Sequence, residues 1–293
     1  MLPIQQPIVT RFAPSPTGYL HLGHVAHAMC VWRIAEKLGA QVLLRIEDHD
    51  RGRCRPEYEE AILRDLEWMG FTPHLGTLAE FRAGPCSFRQ RDRREEYERM
   101  FMVLAAHADV YACSCSRKEI LERTGQLPAE ELWYDGYCRQ LRLPFTDGVG
   151  IRVALPDRVL AFDDLLCGHQ AHRPATQCGD LLLRDRHGNW TYQFSVVVDD
   201  MLQGINLVIR GMDLLDSTGR QLLLAEMLGR TQPITFAHHP LLLDEQGKKL
   251  SKRSFSTSID QLRELGHTPE GILAQAKALV GEPWRALSLS QAD

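Results

Sequence analysis

Two stretches far apart in the chain carry the residue types needed to handle a nucleoside triphosphate. The first, Arg11-Phe-Ala-Pro-Ser-Pro-Thr-Gly-Tyr-Leu-His-Leu-Gly-His24, sets a glycine and two histidines where a strand hands over to a helix. Backbone N–H groups and the helix dipole point outward at such a junction, which makes it an anion site in open parallel sheets. His21 and His24 can donate to phosphate oxygens, and Gly23 lets a flat base approach the backbone. Taken alone, a histidine beside a helix start is most often structural. The second stretch, Lys248-Lys-Leu-Ser-Lys-Arg253, follows a turn at Asp244-Glu-Gln-Gly247 and by itself reads as a solvated charge cluster on a loop. Paired, the two suit in-line attack on the α-phosphate of ATP, where charge builds on the phosphoryl oxygens and ammonium groups with Mg2+ stabilise it. Lys252 is the expected transition-state lysine, with Lys249 beside it. The chain has no Gly-x-x-x-x-Gly-Lys-Ser/Thr stretch, which disfavours a Walker-type ATPase.

Positioning these residues requires alternating strands and helices. Ile8–Phe12 reads as a short buried strand, followed by the Pro- and Gly-punctuated loop Ala13–Gly18 and then a helix. That helix carries Ala28, Trp32, Ala35 and Leu38 on one face and is closed by Gly39. Gln41–Ile46 is the next strand, and Pro56 opens a second helix with Tyr58, Ile62, Leu66 and Met69 inward. Strand, helix, strand, helix implies a parallel sheet. The rhythm lapses between Gly84 and Gln177 and resumes with strands at Tyr192–Val198, Leu207–Ile209 and Leu241–Leu243, with a helix ending near Gly229 before the last of them. A final helix is expected with Thr268 as N-cap, Pro269 at its first position and Ile272, Leu273, Ala276 and Leu279 inward.

The bulk properties leave this reading open. With 293 residues and 44% hydrophobic content the chain can bury a substantial core. A net charge of −4 argues against an overall basic surface, although a local positive groove could still hold RNA. The N-terminus lacks a secretory pattern and no run reaches the roughly 18–20 apolar residues of a membrane span, so the expected location is the cytoplasm, with no membrane partner. In a reducing compartment the eight cysteines point to buried thiols or a metal rather than to disulfide staples. The run Arg89-Gln-Arg-Asp-Arg-Arg94 is interleaved with acids and reads as a solvated helix rather than an RNA contact.

The paired motifs resemble those of the class I aminoacyl-tRNA synthetases. His21-Leu-Gly-His24 is similar to the HIGH motif and Lys249-Leu-Ser-Lys-Arg253 to the KMSKS motif; Leu250 and Arg253 depart from the latter but spare both lysines. Arg11-Phe-Ala-Pro-Ser-Pro-Thr-Gly18, Arg45-Ile-Glu-Asp48 and Val208-Ile-Arg-Gly211 look like the glutamyl branch. Glutamate offers two carboxylates and one ammonium, so its pocket needs an arginine fork and an anionic or phenolic partner. The resemblance implies Arg11 and Arg210 for the carboxylates, Glu47 and Tyr192 for the amine end and Ser15 nearby, with Pro14, His21, Gly23, His24 and Lys252 around ATP. Without it, Arg45-Ile-Glu47 would pass as ordinary edge charges.

Only 41 residues follow Lys252, too few for the anticodon-binding region of an ordinary glutamyl-tRNA synthetase. The chain is more similar to a shortened paralogous branch that loads activated glutamate onto queuosine in the anticodon of tRNA(Asp), and Asp213–Thr218 also resembles that branch. Tyr111-Ala-Cys-Ser-Cys-Ser116, followed by Trp133-Tyr-Asp-Gly-Tyr-Cys138, offers three thiolates. Their bare spacing fits a metal site and chance core thiols equally. The resemblance implies a structural Zn2+ on Cys113, Cys115, Tyr134 and Cys138, with Tyr137, His107, Cys167 and Cys178 as rival fourth ligands.

The expected architecture is thus a Rossmann-type doubly wound parallel sheet with an inserted zinc-containing α+β subdomain and a short helical tail. Its first half spans 1–83, the zinc-binding, acceptor-side insertion 84–177, the second half with the lysine loop 178–255, and the tail 256–293. A monomer acting on ATP, L-glutamate and queuosine-containing tRNA(Asp) is expected. The competing readings are a truncated synthetase charging the tRNA 3′ end and a silent zinc-containing RNA-binding paralogue; the intact His21, His24, Lys249 and Lys252 count against the silent one. Arg210→Ala is expected to lose several kcal/mol of glutamate affinity by leaving a desolvated carboxylate unpartnered. Unchanged affinity in a binding titration would remove Arg210 from the pocket.

Overall fold

The computed structural model describes residues 7–50, 52–127, 132–240 and 257–287. In chain order the elements are β1 (Val9–Phe12), α1 (Leu22–Leu38), β2 (Gln41–Leu44), α2 (Pro56–Met69), α3 (Leu78–Arg82), α4 (Arg94–Ala105), β3 (Val110–Cys113) and α5 (Arg117–Thr124). Then come β4 (Gly150–Val153), β5 (Leu160–Asp164), β6 (Gly168–His172), α6 (Pro174–Cys178), β7 (Leu181–Arg184), α7 (Tyr192–Leu202) and β8 (Leu207–Gly211). The last are α8 (Leu215–Met227), β9 (Thr235–His239), α9 (Ile259–Glu264) and α10 (Pro269–Val280).

The opening β–α–β–α unit forms where apolar period and caps agree. Helix α1 ends at Gly39, whose φ of 63° is left-handed, and α2 starts with Pro56 at its first turn. Strands β1 and β2 pair in parallel, Val9 opposite Gln41 through Phe12 opposite Leu44. Asn206 carries the layer onward: its Oδ1 accepts from Val9 N at 2.9 Å and its own N–H donates to the Val9 carbonyl at 3.1 Å, seating β1 beside β8. Beyond β8 the order is β9, β5, β6, with β8, β9 and β5 parallel and the β5–β6 hairpin antiparallel. The sheet is therefore mixed rather than wholly parallel, because a hairpin from the stretch without β–α rhythm closes its edge. Strands β3, β4 and β7 make a separate antiparallel sheet.

Helix α10 starts as its cap residues direct, Thr268 Oγ1 accepting from Gly271 N at 3.2 Å, and buries Ile272, Ala276 and Val280 in the core that includes α1 and α2. Leu273 and Leu279 are only partly buried there. Among the described residues no helix is long and apolar enough to cross a membrane.

Two expectations are corrected, and a third lies outside the described residues. Tyr192–Val198 is the start of helix α7 and not a strand. Its Phe194 to Asp200 are all buried, so neither alternation nor a polar stripe marks the period, and the β-branched valines mislead. Strand β9 was not foreseen, because its Thr-Phe-Ala-His-His composition hides it, and the expected strand Leu241–Leu243 lies outside the described residues. Finally, Arg89–Arg94 is not a solvated helix. Arg89, Gln90 and Arg93 are buried, Arg89 against Glu59, and Arg93 Nε donates to Asp199 at 2.7 Å.

Asp199 collects Gln90 Nε2 at 2.8 Å and the Tyr97 hydroxyl at 3.0 Å besides Arg93, with Arg45 Nε at 3.8 Å. It thereby ties α7 to α4, to the turn before α4 and to the end of β2. Removing this carboxylate would leave the buried Arg93 guanidinium without its anionic partner. Asp199→Ala is expected to destabilise the fold by about 3–5 kcal/mol in urea unfolding, whereas Arg94→Ala, at an exposed position, should stay within about 0.5 kcal/mol. Equal effects of the two would dismiss the hub.

Candidate active site and metal cluster

The N-terminus of α1 is built by its two histidines. His21 is the N-cap residue, and its Nδ1 accepts from Gly23 N at 3.1 Å, while His24 Nδ1 accepts from His21 N at 3.1 Å. Both Nδ1 atoms are acceptors of backbone N–H, so a neutral ring at either position carries its proton on Nε2. The rings lie 3.8 Å apart and line one cleft with Ser15, Thr17, Ser258 and Asp260. A phosphate there would meet two imidazole N–H donors and the positive end of a helix. Gly23 sits in the first turn with its N–H turned to His21. Lys249 and Lys252 lie outside the described residues; Ser258, six positions after Lys252 in the sequence, is bridged to His21, and Ile259 N donates to Leu20 O at 2.9 Å.

On the other side of His24 a second cleft is lined by Pro14, Ser15, Glu47, His49 and His27. Behind it stand four buried charges, Arg11 from β1, Arg45 and Glu47 just after β2, and Asp200 from α7. Arg11 Nε meets Asp200 Oδ1 at 3.2 Å; Arg45 donates to the same oxygen at 2.8 Å and to Glu47 Oε1 at 3.0 Å. Burial raises the Tyr192 phenol pKa, with Glu47 and Asp200 acting in the same direction and Arg210 and Arg11 opposing. Burial lowers the Arg210 pKa, with Arg11 acting in the same direction and Tyr192 and Asp200 opposing. The structure thus brings Arg11, Glu47, Tyr192 and Arg210 to one place, with Ser15 exposed at its mouth. Tyr192 arrives from the first turn of α7 instead of a strand end.

Arg210 differs from its neighbours. Its partners are His238 Nε2 at 3.0 Å, Gln221 Oε1 at 2.6 Å and Thr218 Oγ1 at 2.8 Å, all neutral acceptors. Arg11 and Arg45 share Asp200, and Arg45 also pairs with Glu47. Sequence reasoning missed Asp200, His238, Thr218 and Gln221 as members of this site. The consecutive acids Asp199-Asp200 closing an apolar run were the available signal.

The cysteines gather in the antiparallel region. Cys113 ends β3, Cys115 follows it, and Cys138 lies in the 3-10 turn Tyr137–Leu141. Their sulfurs all lie within 4.8 Å of one another. The Tyr134 oxygen is 3.3 Å from Cys113 Sγ and 3.8 Å from Cys115 Sγ, and it accepts from Cys138 N at 2.9 Å. Gly179, at φ 65°, admits Tyr134 this closely: a Cβ on it would sit 1.8 Å from the Tyr134 carbonyl oxygen. Burial pushes the Cys138 thiol up, but hydrogen bonds, that of Tyr134 foremost, bring it down to about 7. Arg152 lies 3.7 Å over the Tyr134 ring with its Nε 3.4 Å from Cys113 Sγ, and Arg123 Nη2 is 3.7 Å from Cys115 Sγ.

Three sulfurs, one phenol oxygen and two flanking guanidinium groups fit a divalent cation whose ligands would bring a surplus of negative charge. The rival ligands are engaged elsewhere: His107 with the Met227 carbonyl at 2.6 Å, Cys167 with that of His238 at 3.3 Å and Cys178 with that of Pro174 at 3.3 Å. Tyr137 is exposed, beneath Arg123.

Residues 7–284 match the catalytic-domain family described as tRNA synthetases class I (E and Q). A protein of Nitratidesulfovibrio vulgaris named glutamyl-Q tRNA(Asp) synthetase is 40% identical over 92% of this chain and 86% of its own length. A glutamate–tRNA ligase of Legionella pneumophila is 41% identical over 90% of this chain and 54% of its own. The crystal structure of a glutamate tRNA ligase from Elizabethkingia meningosepticum in complex with its amino acid superposes with a TM-score of 0.74 at 30% identity, covering 97% of this chain and 65% of that one.

Native mass spectrometry of reduced protein is expected to find one metal ion per chain, absent from Cys138→Ser, whose Tm should fall. A metal-free mass for the freshly purified protein would sink this assignment of the cluster.

Proposed function

This chain belongs to the class I tRNA synthetases of the glutamate and glutamine type, a family of ligases, and from that premise we propose that it activates L-glutamate with ATP and Mg2+ and transfers the glutamyl group to queuosine in the anticodon of tRNA(Asp). The observation that carries glutamate is Arg210, a buried guanidinium with neutral partners only, set beside Tyr192, Glu47 and Arg11 and a short way from the two outward imidazoles. A substrate carboxylate supplies the missing charge on Arg210. Arg11 and Ser15 serve the second carboxylate end, and Glu47 with Tyr192 receive the ammonium.

The α-carboxylate then attacks the α-phosphate of ATP and pyrophosphate leaves. His21 and His24 hold phosphate oxygens through Nε2–H, Pro14 and Gly23 border the nucleotide, and Lys249 and Lys252 stabilise the transition state. An acceptor hydroxyl attacks the resulting adenylate and displaces AMP. Zinc on Cys113, Cys115, Cys138 and Tyr134 would fix the end of β3 against the Tyr134 segment and has no part in the chemistry. The queuosine acceptor is supported by the name of the Nitratidesulfovibrio vulgaris protein, 86% of whose length is matched. Charging of a tRNA 3′ end is the second reading, favoured by the 41% identity to the Legionella pneumophila ligase.

Glutamate-dependent ATP–pyrophosphate exchange without tRNA is expected, reduced about 10²–10³-fold by Lys252→Ala. Label from glutamate should then appear on tRNA(Asp) that carries queuosine and be absent from tRNA lacking it. Label on glutamate tRNA without queuosine selects the second reading, and folded protein without any exchange rejects both.

A further inference from the structure

Three neighbouring parallel strands set one residue each across the sheet edge at the substrate pocket: Asp164 at the end of β5, His238 on β9 and Arg210 on β8, the last two paired directly in register. Neither Asp164 nor His238 belongs to the motifs that suggested the site. Both side chains are wholly buried, and His238 Nδ1 lies 2.6 Å from Asp164 Oδ2. Asp164 also accepts from the backbone N–H of Leu166 at 2.9 Å, Cys167 at 2.8 Å and His238 at 3.1 Å.

This arrangement fixes where the imidazole proton sits. A carboxylate already receiving several N–H groups is an acceptor, so His238 donates from Nδ1 and its Nε2 holds a lone pair. Burial lowers the His238 pKa, which keeps the ring neutral. The lone pair accepts from Arg210 Nε at 3.0 Å. Gln221 and Thr218 on α8 take two more of the five guanidinium N–H groups, leaving two, with the Tyr192 phenol beside them.

A direct carboxylate partner would have oriented Arg210 just as well, as Asp200 does for Arg45, but it would also have cancelled the charge. An imidazole interposed between Asp164 and Arg210 orients the guanidinium and leaves its charge for a ligand. Among the described residues no carboxylate forms an ion pair with Arg210, in contrast to Arg11, Arg45, Arg89 and Arg93. We propose that Asp164 and His238 act as a tautomer lock that aims the uncompensated Arg210 at the substrate carboxylate, making His238 a positioning residue for selecting glutamate over its neutral isostere glutamine. This rests on the glutamate reading of the pocket and adds residues to it.

Asp164→Asn tests the lock with almost no change in volume. Its Oδ1 keeps the Leu166 and Cys167 N–H groups, which turns the amide nitrogen toward His238 Nδ1. The imidazole proton must then move to Nε2, where it opposes the Arg210 Nε–H, the same tautomer inversion that an amide produces behind a catalytic histidine. In ATP–pyrophosphate exchange the KM for glutamate should rise about tenfold or more, the KM for ATP should stay within about twofold, and inhibition by glutamine should gain relative to glutamate. His238→Phe, which fills the space without an acceptor, should behave alike, while His238→Gln, which restores an acceptor near the Nε2 position, should recover most of the glutamate affinity. If Asp164→Asn does not fold, the His238 pair decides.

Equal rises in both KM values, an indifferent Asp164→Asn, or a His238→Gln no better than His238→Phe overturns the lock while leaving glutamate activation in place. Wild-type protein with neither exchange nor a glutamate-induced rise in Tm overturns the functional reading instead, and the lock with it.

Discussion

Arg11 and Arg45 project from adjacent parallel strands into space that excludes water, and one carboxylate, Asp200, answers both. The rest of the architecture follows from supplying that carboxylate. A guanidinium taken out of water without a partner is untenable in a core of this density. Helix α7 meets the demand by ending its apolar run in two successive acids. About 100° separates successive side chains on a helix, so Asp200 reaches β1 and β2 while Asp199 reaches Arg93, Tyr97 and Gln90. One turn of helix thereby locks the first strands to α4, which belongs to the stretch where the β–α rhythm is interrupted.

Against that neutralised background, Arg210 stands out electrostatically. Its hydrogen-bonding capacity is met by an imidazole, an amide and a hydroxyl, and its charge is not. The pocket lies where the C-terminal ends of β1, β2 and β8 meet the N-terminus of α1, the crevice in which open parallel sheets bind ligands. His24 lines both clefts, the one it shares with His21 and the one it shares with Glu47. An anionic substrate and a nucleotide would therefore be drawn together by the same fold edge.

The metal-competent cluster obeys the same charge logic with the signs reversed. Three thiols and a phenol gather at the end of β3, and two guanidinium groups face them, Arg152 from β4 and Arg123 from α5. Cys138 is the group already poised near neutral pH, because hydrogen bonds from Tyr134, the Ser114 backbone and the neighbouring thiols stabilise its thiolate. Four protein donors, which would leave no open coordination position, suit a brace rather than a reaction centre.

Local signals determined much of this protein. The opening strand, helix and strand, the Gly39 stop, the Pro56 start and the Thr268 cap were legible because each depends on a few neighbouring residues. Arg11, Glu47, Tyr192 and Arg210 were grouped through motif resemblance, and the structure sets them near one another. Tertiary packing decided what local pattern could not express. Helix α7 reads as a strand because burial on every side erases its period; β9 escapes notice because its histidines are buried by partners far away in sequence. Arg89 and Arg93 read as surface charges until Glu59 and Asp199 approach them. Tyr134 separates from its rivals only when Gly179 lets it close on the sulfurs, and Asp164 and His238 acquire meaning only as strand neighbours of Arg210. Short-range conformational preferences are written along the chain, whereas the charge state and orientation of a buried group depend on which distant residues the fold brings within hydrogen-bonding distance.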